Sequence, residues 1–282
     1  MAELSGFTVY NGGVGGENVD KLPKLKMYDE IESDGSILLF DASEIDETQS
    51  VENDAYLKNI FSENCSKICG DSNIKISIKT SGDVKLEKTS KNAIHEMWNP
   101  NAQSSGANLQ YAFINVIGGI KEYLKNNKIK NDFYLSAWIR FTSLDEGYGE
   151  AKMAYPISYT SPGNYNNFKV FYASVLSDEI NITDAHYIKM SCHKVDDIAS
   201  AGSSNMSLMN IGPANLNNVG LTAGRIYGST ILYRFYIEDL TVSGRTKEEV
   251  QIIDEKLFNE AFAEGGKFYN DTWTDPKTAF TE

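Results

Sequence analysis

Long apolar runs are missing from this 282-residue chain. The best of them, Ala112–Ile120, falls well short of the ~18 residues of a membrane-spanning helix and is broken by Gly118-Gly119, so no membrane insertion is expected. The first residues, MAELSGFTVYNGG, lack a basic stretch followed by an apolar one, and no secretory signal is read there. Cysteine and histidine number three each, too few and too scattered for a zinc site. Cys65 and Cys69 are four apart rather than in a C-x-x-C, Cys192 and His193 fall on opposite faces of a strand, and His95 and His186 stand alone. Positive charge is also short: 26 Lys and Arg against 39 Asp and Glu give a net charge of −13. Phosphate contacts need a positive footprint, so a nucleic-acid partner is not expected. The one basic cluster, Lys121–Lys130, reads as a solvated helix end.

What is present is glycine, tyrosine and phenylalanine, in a chain that is 41% hydrophobic. This mix suits turns joining aromatic-rich strands. Ser36–Ala42 follows the turn pair Asp34-Gly35 and reads as a buried strand. Ile74, Ile76 and Ile78 alternate with polar neighbours, and Ser81-Gly82-Asp83 followed by Val84 and Leu86 suggests a hairpin. Ala93–Trp98, Phe133–Phe141, Lys169–Leu176, Ile180–Lys194 and Ile231–Val242 behave likewise. In the last of these Ile231, Tyr233, Phe235 and Ile237 line one side, and Arg234, Tyr236 and Glu238 the other. Helices are predicted over Asp54–Ile68, ended by Gly70, and over Leu109–Asn127 in spite of its glycine pair. Thr246-Lys247-Glu248-Glu249 has the capping-box form and opens a helix over about 247–264, with Val250, Ile253, Leu257 and Ala261 as its buried stripe. Phe268, Tyr269 and Trp273 are expected to pack that helix back on the sheets. The pattern predicts a mainly β chain, an antiparallel β-sandwich or jelly roll with a few helices. Residues 1–35 read as an extended N-terminal arm, either an attachment segment or a plain terminus. Residues 36–282 form the sandwich, with an inserted helical and loop region at about 43–108.

Candidate chemistry is sparse. Glu44-Ile45-Asp46-Glu47 has the look of the paired carboxylates of a retaining glycosidase, whose two groups face each other about 5 Å apart. Alternation puts Glu47 opposite Glu44 and Asp46, however, and an acidic loop accounts for the stretch better. Gly12–Gly16 lacks the order and the Lys-Ser/Thr ending of a phosphate loop. His186 and Ser191 are badly spaced for a nucleophilic pair, so no catalytic residues and no resident metal are assigned. No cofactor is expected, apart from a calcium ion that the Asp178–Asp184 loop could hold. Tyr148, Tyr155, Tyr159 and Tyr165 fall in expected loops, where their rings could stack on sugars, or serve core packing and subunit contact.

The closing residues carry a family likeness. Leu232–Thr246 (LYRFYIEDLTVSGRT), the helix after it, and Gly265–Pro276 (GGKFYNDTWTDP) resemble the end of concanavalin A-like, laminin G-like domains of tailed-phage and prophage tail, fibre and baseplate proteins. Phe133–Phe141 (FYLSAWIRF) is similar to an inner strand of that sandwich. A looser likeness covers about 110–276, and residues 1 to about 105 resemble no family. The resemblance implies a concanavalin A-like jelly roll and a non-enzymatic virion structural protein, assembled in the host cytoplasm with other virion proteins and copies of itself. It also implies contact with host surface polysaccharide. A capsid decoration protein of the same fold and a carbohydrate-binding adsorption module are the alternatives, with a glycoside hydrolase behind them. It is a domain signature and supplies no site residues.

Overall fold

Strand-forming residues dominate the described structure as the alternation predicts, and two helices prove to be shorter than expected. The computed structural model describes residues 29–52, 55–70, 74–79, 84–99, 111–116, 119–127, 130–144, 153–160, 171–176, 184–192, 207–211 and 228–281. Its regular elements all belong to one unit, Ile31–Glu282. The strands are β1 Ser36–Asp41, β2 Tyr56–Leu57, β3 Ile74–Lys79, β4 Val84–Lys88, β5 Ile94–Trp98, β6 Tyr111–Val116, β7 Phe133–Leu144, β8 Met153–Thr160, β9 Phe171–Leu176, β10 Ala185–Cys192, β11 Ser207–Ile211 and β12 Gly228–Asp239. The helices are α1 Ser62–Cys69, α2 Gly119–Asn127, the single turns α3 Leu240–Ser243 and α5 Pro276–Ala279, and the long α4 Lys247–Phe262. Most of the N-terminal arm expected over residues 1–35 lies outside the described residues.

Among the described residues all of the strand pairings are antiparallel. The larger sheet runs β10-β7-β12-β5-β4, and β1 also pairs with β12. β12 is long enough to serve two partners on one edge: Thr230–Leu232 pair with β5, and Arg234–Glu238 pair with β1. A bulge between Leu232 and Arg234 separates the two registers. Two three-stranded sheets, β2-β3-β6 and β11-β8-β9, meet along β6 and β11. The chain is thus mainly β, an antiparallel sandwich with few helices.

Three expectations are corrected. Tyr111–Val116 is a strand rather than the start of a helix. Its aromatic and β-branched residues pair with β3, and α2 begins only at Gly119. The helix expected from Asp54 begins only at Ser62, because Tyr56 and Leu57 pair with β3. The hairpin expected across Ser81-Gly82-Asp83 does not form: β3 belongs to one sheet and β4 to another, where β4 pairs with β5.

The central strands are buried on both faces. Every residue from Phe133 to Ile139 and from Ser229 to Asp239 is buried. On one side Phe133 meets Tyr123 of α2 edge-on, at 6.4 Å between ring centres. On the other, Trp138 packs against Phe258 and Phe262 of α4 and against Phe268 behind it. The bulge in β12 brings Tyr233 onto this helix-covered side, where its ring lies 4.9 Å from both Phe262 and Phe268. Tyr233 and Arg234 therefore share a face that strict alternation would have divided. The stripe of α4 includes Val250 and Ala261 as expected, and it also takes in Asp254, fully buried, with Phe258 and Phe262 half-buried.

α4 is started by the capping box that the sequence suggests: Thr246 Oγ1 accepts from the Glu249 amide at 3.2 Å, and Glu249 accepts from the Thr246 amide at 2.7 Å. At its far end the chain doubles back so tightly that a Cβ on Gly266 would lie 2.2 Å from the Glu260 carbonyl oxygen and 2.5 Å from that of Ala261. Ala261 also receives the Phe268 amide at 2.8 Å. Gly266→Ala must push this turn off the helix and lift Phe268 from the core. A loss of about 2 kcal/mol or more is expected in a denaturant melt.

Candidate functional site

Side chains that could do chemistry gather beneath α4 and the C-terminal tail. Those that the sequence pattern singles out lie elsewhere. Under α4, Asp254 Oδ1 accepts from Trp138 Nε1 at 3.1 Å and Oδ2 accepts from the Tyr134 hydroxyl at 3.0 Å. Tyr187 of β10 hydrogen-bonds the same Tyr134 hydroxyl. Burial pushes the Asp254 carboxyl above its ordinary range, against the pull of Arg234 and of its own hydrogen bonds. Burial also drives the Tyr134 and Tyr187 hydroxyls well above theirs, so both stay protonated and act as donors. Beside them Arg234, fully buried, donates to Asp41 Oδ2 at 3.2 Å and stacks over Trp138 at 4.6 Å from the ring centre. Lys267 pairs with the same carboxylate oxygen.

At the end of β12, Glu238 is fully buried and fully used. Its Oε1 accepts from Ser33 Oγ and from Arg245 Nε, both at 2.8 Å. Its Oε2 accepts from the Tyr236 hydroxyl at 2.7 Å and pairs with Arg245 Nη2. The Tyr236 hydroxyl, which donates to Glu238, also hydrogen-bonds Ser36 Oγ, 2.8 Å away. The neighbouring Asp239 caps α3 by accepting the Thr241 and Val242 amides at 2.9 and 3.0 Å. Its other oxygen takes the Tyr123 hydroxyl at 2.9 Å and Asn131 Nδ2 at 2.6 Å.

A third group has the outline of a hydrolase relay. His95 Nδ1 lies 2.8 Å from Glu87 Oε1, and Nε2 lies 2.7 Å from Thr142 Oγ1. A hydroxyl, an imidazole and an orienting carboxylate in this order can activate a nucleophile. Here the His95 side chain has no exposed surface, so no substrate atom reaches Nε2. Burial holds the ring below its ordinary pKa against the opposing influence of Glu87, which keeps it neutral. The trio braces three strands, β4, β5 and β7. It does not process a ligand.

The Glu44–Glu47 stretch shows no facing carboxylates. Glu44 is exposed and 3.9 Å from Lys58, and Asp46 Oδ1 closes a local turn by accepting the Thr48 amide and hydroxyl at 2.7 and 2.6 Å. Tyr155 and Tyr159 fall on β8 inside a sheet, where the sequence pattern suggests loops. Tyr148 and Tyr165 lie outside the described residues, as does the Asp178–Asp184 loop apart from Asp184. Among the described residues no group of three or more His, Cys, Asp or Glu could hold a metal ion, and no helix is long and apolar enough to cross a membrane.

No protein-family model matches the chain, and no curated protein matches it. Solved structures give distant matches. The binding domain of botulinum neurotoxin DC in complex with rat synaptotagmin II is 12% identical at a TM-score of 0.36, covering 81% of this chain and 53% of that one. The same domain in complex with SialylT is 13% identical at 0.33, covering 80% and 51%. The binding domain of botulinum neurotoxin serotype D/C VPI 5993 is 14% identical at 0.34, covering 80% and 52%. The chain spans about half the length of each, and a likeness at this level bears on neither activity nor partner.

Proposed function

We propose that the chain is a non-enzymatic structural component of a tailed-phage or prophage particle, of the tail, fibre or baseplate class, that assembles with copies of itself and with other virion proteins and touches host surface polysaccharide. One observation carries this reading. The two segments that resemble the phage domains hold the fold together, and the polar groups named next bond within the fold. Glu238 and Arg245 bond each other, Asp239 caps α3, Thr246 caps α4, and Asp271 binds the Ser90–Lys91 turn. Gly244 takes the left-handed conformation, φ 71°, that ends α3, and Asp275 accepts the Lys277 amide to start α5. Such a motif builds a rigid spacer and leaves recognition to the rest of the chain. The glycan contacts are assigned to Tyr148, Tyr155, Tyr159 and Tyr165, with no metal or cofactor in the chemistry.

The test is the mass of the full-length protein in solution together with a glycan array. A closed oligomer is expected, since virion symmetry requires repeated interfaces. Array binding that is lost when all four tyrosines become alanine is expected as well. A monomer that binds no glycan would overturn the proposal.

A further inference from the structure

The geometry points to a conformational device: the C-terminal segment Asp271–Thr281 is a strap that acid releases from the sheet while α4 stays docked. The strap grips the hairpin formed by β4, the Thr89–Asn92 turn and β5, and its side-chain bonds there converge on carboxylates. Asp271 Oδ1 accepts from Ser90 Oγ at 3.0 Å and from the Lys91 amide at 2.9 Å. Glu87 Oε1 accepts from the Thr274 amide at 2.8 Å and Oε2 from Thr274 Oγ1 at 2.7 Å. Bonds without a carboxylate also join the two. The Ser90 amide donates to the Thr272 carbonyl and the Thr272 amide to Ser90 Oγ, both at 2.9 Å, and Lys85 Nζ reaches the Ala279 carbonyl at 2.6 Å. Hydrogen bonds to a charged acceptor are about twice as strong as neutral ones, so the grip weakens once Glu87 loses its charge.

Behind Glu87 stands His95, enclosed on every side. Glu87 faces it from β4, Thr142 from β7 and Asp271 from the strap. Arg140 of β7 lies against the strap's Trp273, 5.1 Å from the ring centre, and its charge acts on the Tyr233 hydroxyl of β12 together with that of Asp271. A second proton on His95 would place a new cation on a side chain with no exposed surface. Burial lowers the His95 pKa from 6.5, while Glu87 and Asp271 oppose the shift. Burial alone would raise the Glu87 pKa, but the bonds from His95 and Thr274 outweigh it and hold the carboxyl below its ordinary 4.5.

Both groups therefore bind a proton less readily in the folded protein than in the unfolded chain. Their contribution is present above the unfolded values and is lost as pH falls through the lower folded ones. Asp254 under α4 runs the other way. It is surrounded by Tyr134, Ser136 and Trp138 of β7, Tyr187 of β10 and Arg234 of β12, and its raised pKa means that acid favours the folded, protonated form. Acid thus loosens the strap and leaves the helix anchored.

Hydrogen exchange on the full chain reads both parts at once, after correction for the pH dependence of the chemical rate. Between neutral pH and about pH 3, well below the ordinary 4.5 of Glu87, peptides covering 271–281 are expected to exchange about tenfold faster, while those covering Lys247–Phe262 do not change. A strap with unchanged protection, or a strap and helix that open together, would overturn the proposal. Glu87→Gln should leave the strap open at neutral pH and flatten its pH response. A protected strap with the wild-type response in that variant would count against it. Should Glu87→Gln fail to fold, Thr274→Ala, which changes an exposed residue, takes its place: the strap should then exchange faster at neutral pH with α4 unaffected, and unaltered exchange would be the negative result.

Discussion

Asp254→Ala should cost about 3 to 5 kcal/mol, among the largest effects of any single change in this protein. The substitution leaves Trp138 Nε1 and the Tyr134 hydroxyl without their acceptor in a place that water does not reach. Each buried donor left unmade costs about 1 to 3 kcal/mol, and the Ala side chain adds a void under α4. Asp254→Asn should be far milder. Burial already favours the neutral form of this carboxyl, and an amide oxygen can still take the indole proton while its NH2 group donates to Tyr134. Urea melts of the two variants separate the explanations. Equal losses would mean that the carboxylate charge, and its attraction to Arg234, matters more than the filled hydrogen bonds. A small loss for asparagine beside a large one for alanine is the expected result.

Asp254 also shows where reading from sequence stops. Val250, Ile253, Leu257 and Ala261 mark one side of α4, and a carboxylate among them reads as solvent-facing because buried charge is rare. Its partners, Tyr134 and Trp138, lie more than a hundred residues earlier on a strand whose even-numbered face looks wet. The alternation in β7 and β12 is legible, but it does not say what covers the polar face. A helix supplied from the C-terminus covers that face, turning Arg234, Tyr236 and Glu238 inward. Local signals fared better: the capping box and the strands at Ser36 and Phe133 depend on neighbours in the chain alone.

The Glu87–His95 pair was within reach of the sequence and was missed for a definable reason. The two residues face each other across a hairpin whose turn is Thr89–Asn92, with Asn92 at φ 62°. Pairing Val84–Lys88 with Ile74–Lys79 through the obvious Ser81-Gly82-Asp83 turn hides that opposition. Pairing them with Ile94–Trp98 displays it, because Lys88 then meets Ile94 and Glu87 meets His95. A strong turn signal marked a passage between sheets, and a weaker one made the hairpin. The candidate tyrosines had no comparable local signal. Tyr155 and Tyr159 belong to β8, which pairs with β11 and β9.

Arg245→Met is the second change with a large expected effect, about 3 to 5 kcal/mol, and it tests how the end of β12 is held to the chain that enters the fold at Ile31. Among the described residues Arg245 is the only cation bonded to the fully buried Glu238, and its Nη2 also donates to the Ile31 carbonyl at 2.6 Å. Methionine keeps much of the apolar stem but leaves a buried carboxylate with hydrogen bonds from Ser33 and Tyr236 alone. A double variant, Arg245→Met with Glu238→Gln, removes the uncompensated charge and should recover more than half of the loss in a thermal melt. If the double variant is no more stable than Arg245→Met, the arginine acts through the Ile31 carbonyl, and the carboxylate pairing is secondary. Recovery would instead identify Glu238 as a charge that the fold tolerates only because Arg245 follows it seven residues later, which gives the E-D-L-T-V-S-G-R segment a physical reason for its spacing.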